Sequence, residues 1–388
     1  MRIAQIVPPF VSVPPKRYGG TERVASLLTE ELVRRGHEVT LFASGDSVTQ
    51  ARLIPTTERA LWSRDGVCDA FPVWIVTLNE AYRRARDGEF DVVHSHLDYP
   101  AFACAELVET PTVSTMHGRL DVPGLTDLYG RFPEARLISI SNSQRLPLPD
   151  LRWVGTVYNA VDTSRLTFNP RGGEYLAFLG RISPEKGLDS AIRISQQAGL
   201  PLKVAARVPI ADTSRPDVRA DWEYYEQVVK PLLRHGHVEL VGEIGDAEKP
   251  ELLGNALALL FPIDWPEPFG LAMAEALACG TPVIARRRGS VPEVVDHGVT
   301  GLVGETDEEL AALCRQVGEL DRRACRAAAD ERFAPDMMAQ GYEALYRQVT
   351  RPDEIPSVLA PMGTLPALDE AWQDRVLTAL TDDAAATS

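Results

Sequence analysis

Short apolar runs alternate with longer helical patterns along most of this chain, and that alternation constrains the fold more than any other feature. Ile3–Val7 reads as a strand, Thr21–Arg35 as an amphipathic helix stopped at Gly36, and Val39–Ala43 as the next strand. Asp91–Ser95, Thr112–Thr115, Leu137–Ser141 and Gly155–Tyr158 continue the series. Strands that return repeatedly through a helix pair in parallel, which predicts an α/β fold with a doubly wound sheet. A second series opens at Tyr175–Leu179 and runs through Leu202–Ala205, Val238–Val241, Ala258–Phe261 and Pro282–Ala285. Two series predict two Rossmann-like doubly wound domains facing across a cleft. Their expected limits are 1–168 and 169–335, joined near Asp162–Glu174, where Asn169-Pro-Arg-Gly-Gly173 reads as linker. Residues 336–388 form the remainder, with Met337–Val349 helical by pattern, 351–366 Pro-rich and extended, weak helical periodicity over Asp369–Thr381, and a disordered end at Ala384–Ser388. Ligands of open α/β sheets bind beyond the carboxyl ends of the strands, so the cleft is where a site is expected.

Composition removes several classes of function. A chain of 388 residues, 45% hydrophobic and 24% charged, has ample material for buried cores. A net charge of −15 argues against a broad nucleic-acid surface and against a strongly basic membrane-docking face. No run approaches the roughly 18 apolar residues of a membrane span. The opening Met1-Arg-Ile-Ala-Gln-Ile-Val7 reads as a first strand and not as a signal peptide. Five scattered cysteines, Cys68, Cys104, Cys279, Cys314 and Cys325, fit reduced thiols used as small core residues. A cytoplasmic protein is the expectation.

The segment from Phe261 to Ala285 carries the chemistry. Glu267 sits between two prolines, and Glu275 lies eight residues on, among apolar helix residues. Pro268 suits a helix entrance, so a helix is expected to begin near Phe269 or Gly270. Its first turn would offer free N–H groups at Phe269, Gly270 and Leu271, with the positive end of the helix dipole behind them, as suits a phosphate. Carboxylates on either side can accept bonds from sugar hydroxyls, and the whole fits hexose, diphosphate and ribose of a nucleotide sugar. A plain buried crossover would account for Leu271, Met273, Ala274, Leu277 and Ala278, but not for Glu267 or Glu275.

This segment resembles the E-x7-E signature of retaining glycosyltransferases of family 4, with the GT-B fold. Gly289-Ser-Val-Pro-Glu293, Gly298-Val-Thr-Gly301, Gly180-Arg181-Ile-Ser-Pro-Glu-Lys186-Gly187 and Tyr18-Gly19-Gly20-Thr21-Glu22 fit the same family, in the expected order from about residue 18 to residue 302. The resemblance implies that Arg181 and Lys186 hold the diphosphate, that the Gly19-Gly20 loop covers the donor phosphates and borders the acceptor, and that His117 lies beside the donor sugar. It implies that Ile244 meets the base through its backbone, that no cofactor or metal is needed, and that the last helix crosses back to the first domain. The tail beyond about residue 350 is outside it.

Other readings stay open beside these. Arg181 and Lys186 could be a solvated pair of little energetic value. Thr21 or Gly20 could simply cap a helix. The Gly-Gly loop is not the G-x-G-x-x-G fingerprint, which removes the main support for hydride chemistry. His94, His96 and Asp98 resemble a metal cluster at first sight, but no further ligand stands at telling spacing; acceptor-side or structural roles are the alternatives. Tyr18, Arg119 and Asn142 are further acceptor-side candidates. Trp62, Trp74, Tyr99 and Tyr129 could stack on an acceptor or fill a core.

The expected reaction is retaining transfer of a hexose, with UDP-glucose as the default donor, to a hydroxyl acceptor. Arg181, Lys186 and the helix start at Phe269–Leu271 would stabilise the leaving diphosphate, Glu267 would orient the sugar, and Glu275 would bind the ribose. A nucleotide-sugar epimerase or hydrolase and a non-catalytic sugar-nucleotide binder are the competing classes.

Overall fold

The computed structural model describes residues 1–63, 70–209, 216–233 and 236–351. Cys68 and the readings for 352–388 lie outside the described residues. The first sheet has seven parallel strands: β1 (Arg2–Ile6), β2 (Glu38–Ser44), β3 (Arg52–Thr57), β4 (Val92–Ser95), β5 (Thr112–Thr115), β6 (Arg136–Ser139) and β7 (Trp153–Thr156), in the order β3-β2-β1-β4-β5-β6-β7. The second has six: β8 (Leu176–Leu179), β9 (Leu202–Ala205), β10 (Val238–Leu240), β11 (Ala258–Phe261), β12 (Val283–Arg286) and β13 (Gly301–Gly304), in the order β10-β9-β8-β11-β12-β13. Every pairing is parallel, as helical crossovers require.

The central strands are buried along most of their length. Ile3, Ala4 and Ile6 of β1, Val92 and Val93 of β4, and all of Ala258–Leu260 in β11 are fully sequestered, as strands covered on both faces must be. Two strands escaped the sequence pattern. In β3, Arg-Leu-Ile-Pro-Thr-Thr carries a proline, tolerable because β3 is an edge strand. In β13, Gly-Leu-Val-Gly is too short and too glycine-rich to announce itself. Cys279, Cys314 and Cys325 are buried core residues, and burial pushes each thiol up to about 12.

The polypeptide passes between the sheets twice, after β7 and before the helix Pro335–Thr350. The two passages touch: Val161 N–H donates to the Phe333 carbonyl at 2.9 Å. That helix lies on the first sheet. Leu345 occupies the space where a side chain at Gly155 of β7 would be, and the Glu343 carboxylate bonds Arg35 at 2.8 Å and His37 at 2.9 Å. Both sheets belong to one compact unit, Met1–Tyr346, and Arg347–Ser388 forms a second. No helix among the described residues is long and apolar enough to cross a membrane.

Candidate active site

Each sheet reverses its strand order once, between β1 and β4 in the first and between β8 and β11 in the second. Loops leaving the carboxyl ends at such a reversal diverge and open a crevice. The four loops concerned are Val7–Gly19, His96–Asp98, Gly180–Gly187 and Pro262–Gly270, and they carry most of the candidate residues.

In the second sheet the two loops are locked together. Gly187 has φ 68°, and a side chain there would meet the Pro262 carbonyl at 2.5 Å. Gly289 has φ 53° and lies against the Glu267 backbone so closely that a Cβ would stand 2.3 Å from its nitrogen. Only glycine permits both the conformation and the approach. Ser290 completes the clamp: its N–H donates to the Glu267 carbonyl at 2.9 Å and its hydroxyl to the Phe269 carbonyl at 2.8 Å.

This clamp presents Glu267. Its Oε2 accepts from Lys186 Nζ at 2.5 Å and from Trp265 Nε1 at 2.8 Å, and the carboxylate is 8% exposed. The Lys186 ammonium also lies 4.7 Å from the centre of the Trp265 ring, and Arg119, from the first sheet's side, stands 5.4 Å from it. Trp265 thus gathers a carboxylate and two cations, a role that its sequence position did not announce. Arg181 stands apart from this group, paired with Glu185 at 2.5 Å and Asp221 at 3.8 Å.

The helix Leu271–Ala278 begins at Leu271, with Gly270 as its cap, one to two residues later than the prolines suggested. Gly270 takes a left-handed conformation, so the helix cannot start before it. The first-turn N–H groups are those of Leu271 and Ala272, while Met273 N–H is taken by the Gly270 carbonyl. The Phe269 ring is buried between Tyr158 and Phe333, so its side chain belongs to the core. A second helix start faces this one. Gly20 opens Gly20–Arg34, and a Cβ on it would lie 3.5 Å from Leu271. Two helix N-termini from opposite sheets therefore lie close together, and their dipoles favour an anion.

Glu275 lies on the second turn and is 5% exposed. Lys249 Nζ stands 2.6 Å from its Oε1 and 2.9 Å from Asp246, which in turn meets Arg23 from the first sheet's side at 2.9 Å. Charges alternate along this line, Glu275, Lys249, Asp246, Arg23, and it ends on the opposite half. Ile244, half-buried, sits two residues before Asp246 and packs on the second core.

On the first sheet's side, histidines form a buried chain. His117 Nε2 and His96 Nδ1 are 2.9 Å apart, His96 Nε2 and Gln5 Oε1 2.7 Å, and Gln5 Nε2 donates to Tyr346 Oη at 3.1 Å. His94 lies between Tyr346 and Thr115, 2.7 Å from each hydroxyl. With the Gln5 amide so oriented, its oxygen needs a proton from His96 Nε2, which leaves His96 Nδ1 to accept from His117. His117 is then protonated at Nε2 and offers a bare Nδ1. Burial holds the His117 pKa down to about 4 and those of His94 and His96 well below the usual value, so all three rings are neutral at pH 7. Both nitrogens of His94 and of His96 are committed to protein partners, which explains the paired spacing without a metal. Among the described residues, no three His, Cys, Asp or Glu side chains are grouped as metal ligands.

Asp98 sits half-buried at φ 54° and accepts from the His117 N–H at 3.0 Å; burial raises it to about 6. Arg119 is tied to Asp121 by two bonds of 2.5 and 2.6 Å. Asn142 is engaged with Glu293. Its backbone and side-chain N–H groups both donate to Glu293, at 2.7 and 3.0 Å, beside Ser143 N–H at 2.7 Å and Tyr158 Oη at 3.1 Å. Glu293 lies 3% exposed and spans the two halves. Of the aromatic candidates, Tyr129 is core, whereas Tyr18, Trp62 and Tyr99 are exposed and Trp74 is half-buried.

The sequence matches two adjoining family models: Glycosyltransferase Family 4 over residues 18–165 and Glycosyl transferases group 1 over residues 165–332. The glycogen synthase of Mycobacterium tuberculosis is 26% identical, across 93% of this chain and 98% of the synthase. The N-acetyl-alpha-D-glucosaminyl L-malate synthase of Bacillus anthracis is also 26% identical, across 87% and 96%. Among solved structures, the sucrose-phosphate synthase of Thermosynechococcus elongatus superposes with a TM-score of 0.71 at 20% identity, over 89% of this chain and 98% of that one. AviGT4, a glycosyltransferase of avilamycin A biosynthesis, superposes with a TM-score of 0.66 at 23% identity, over 90% and 98%.

Proposed function

The chain belongs to the family 4 glycosyltransferases of GT-B fold, and from that premise we propose that it transfers a hexose from a nucleotide diphosphate sugar to a hydroxyl acceptor, with retention at the anomeric carbon. UDP-glucose is the donor to try first. The names of the relatives point to acceptors as different as glycogen and L-malate, so family membership leaves the acceptor open.

The observation that carries the reading is Glu267 held at 2.5 Å by Lys186 beside two neighbouring helix starts, with Glu275 one turn further on. Lys186 is paired with Glu267 before any donor arrives. A diphosphate entering between the Gly20 and Leu271 helix starts draws the Lys186 ammonium toward its oxygens and frees Glu267 to accept sugar hydroxyls. Arg181, now paired with Glu185, would reorient to the same charge. Glu275 receives the ribose hydroxyls.

In the transfer the bond from the anomeric carbon to the leaving phosphate oxygen breaks. Negative charge on the departing diphosphate is met by Lys186 and the two sets of helix N–H groups, in a site already organised for it. The acceptor oxygen bonds to the anomeric carbon on the same face, and its proton passes to the leaving phosphate. Neutral His117 presents an acceptor nitrogen to the sugar's hydroxyls.

Thermal-shift measurements with nucleoside diphosphates and nucleotide sugars, with and without chelator, test this reading. Stabilisation by one base, unaffected by chelator and lost in Glu275→Ala, is expected. Stabilisation by none of them, or stabilisation that survives Glu275→Ala unchanged, overturns the donor assignment. Release of nucleoside diphosphate with no sugar acceptor as the main activity would favour a hydrolase.

A further inference from the structure

A cavity of about 350 Å³ opens on the first sheet's side of the cleft, between the loop after β1 and His96–Asp98. Its wall is aromatic. The Phe10 ring lies 5.6 Å from Trp62 and 5.8 Å from Trp74, and Tyr18 stacks on Trp62 at 6.4 Å with 24° between planes. Trp62 is 57% exposed and Tyr18 is 56% exposed, an unusual amount of ring surface to leave in water. The ring surface left open can cover the C–H face of a pyranose.

Among the described residues, the charged side chains that line the cavity are acidic. Glu22, on the first turn of Gly20–Arg34, and Asp98 both line the cavity, and among the described lining residues none is Lys or Arg. The nearest cation on the same helix turns away: Arg23 bonds Asp246 and the carbonyls of Gly19 and Arg17. Arg119 is held by Asp121. Burial raises Glu22 to about 7 and Asp98 to about 6, so these carboxyls accept from hydroxyls or, protonated, donate to them, and neither offers a cation to a phosphate or carboxylate group. The Trp74 indole N–H is buried without a partner among the described residues. The volume sits near the small end of the roughly 300–1,000 Å³ usual for ligand pockets, which suits a sugar ring and not an enclosed acyl chain.

We propose that this cavity is the acceptor subsite and that it takes an uncharged saccharide or cyclic polyol, stacked on Trp62 with its hydroxyls on Glu22 and Asp98, and excludes phosphorylated acceptors. The proposal rests on the glycosyltransfer reading above and narrows it to one acceptor class.

The test is titration of intrinsic tryptophan fluorescence with matched probes: glucose against glucose 6-phosphate, myo-inositol against myo-inositol 1-phosphate, and maltotriose. A saturable change with a neutral probe is expected, at an affinity about tenfold or more above its phosphorylated counterpart and lost in Trp62→Ala. Trp62 is exposed, so that variant keeps its fold, which its melting temperature verifies. Equal or tighter binding of the phosphorylated probes overturns the proposal. So does silence from every saccharide in a protein that a nucleoside diphosphate stabilises, a result that leaves the donor reading standing. Loss of nucleotide stabilisation as well would bring down both.

Discussion

Lys249 and Glu275 form a buried pair, 2.6 Å from ammonium to carboxylate, and Lys249 has a second partner in Asp246 at 2.9 Å. The carboxylate assigned to the ribose is thus oriented by a lysine from another helix. Lys249→Met leaves Glu275 with no cation, and breaking such a buried pair costs about 3 kcal/mol. Urea unfolding should show that loss. Glu275→Ala should cost less, because Lys249 keeps Asp246, yet should weaken nucleotide diphosphate binding roughly a hundredfold through two lost charge-assisted bonds. Titration calorimetry of the two variants separates these effects.

Glu267 and its two donors call for a different signature. Glu267→Gln keeps the size of the side chain and removes its charge. We expect kcat to fall about 10²–10³-fold, the range typical for removal of one organised electrostatic contact, with nucleoside diphosphate affinity changed less than about twofold. Lys186→Ala should lower both. If Glu267→Gln also weakened the free diphosphate, its role at the sugar would be wrong.

Glu293 joins the halves through Asn142, Ser143 and Tyr158. Glu293→Ala leaves two backbone N–H groups, the Asn142 side-chain N–H and the half-buried Tyr158 hydroxyl without their acceptor, a loss of about 3 kcal/mol or more at the usual 1–3 kcal/mol for each unsatisfied group. Glu293→Gln, which can still accept, should recover part of it. Denaturant midpoints that coincide for wild type and Glu293→Ala would contradict this.

The dependence of stability on pH has opposing parts. His94, His96 and His117 have depressed pKa values in the fold, so between pH 6.5 and about 4 the unfolded chain binds about three more protons on these rings, and stability falls as pH falls. Glu22, raised to about 7 by burial, and Asp98, raised to about 6, act the other way. Between their ordinary values and these raised ones the folded chain holds the extra proton, and stability is lost as pH rises. Near pH 5.5 three protons against two leave about one, a slope of about 1.4 kcal/mol per pH unit. Glu22→Gln removes one opposing proton and should roughly double that slope. Denaturant unfolding at pH 5, 5.5 and 6 checks it; an unchanged slope would mean that Glu22 titrates normally.

Most strands and the helix after Glu267 were legible because each is written locally. Alternation of period and the Glu267–Glu275 spacing need no partner elsewhere. What stayed hidden depends on residues far apart in sequence. Lys249 reads as a solvated helix start until it is seen 2.6 Å from Glu275. Glu293 belongs to a recognised motif, but its partners lie 135 to 151 residues away. Gln5 looks like an ordinary polar residue of a strand, and its importance appears only when β4 and the helix Pro335–Thr350 bring His96 and Tyr346 to its two amide atoms. Asn142 reads as an acceptor-side candidate at a strand end, and only the fold shows its N–H groups bonded to Glu293. The helix start slipped to Leu271 because the sequence shows that Gly270 can be left-handed but not that it is.

The contact between Val161 and Phe333 has a mechanical consequence. A protein whose halves are joined by one strand can swivel about any axis through it. Here two strands cross side by side and are bonded to each other, so twisting one half against the other would shear that bond, while a swing about the line through both crossings leaves it intact. The halves are joined as a door is hung on two adjacent pins, an attachment that resists twist more than it resists a swing.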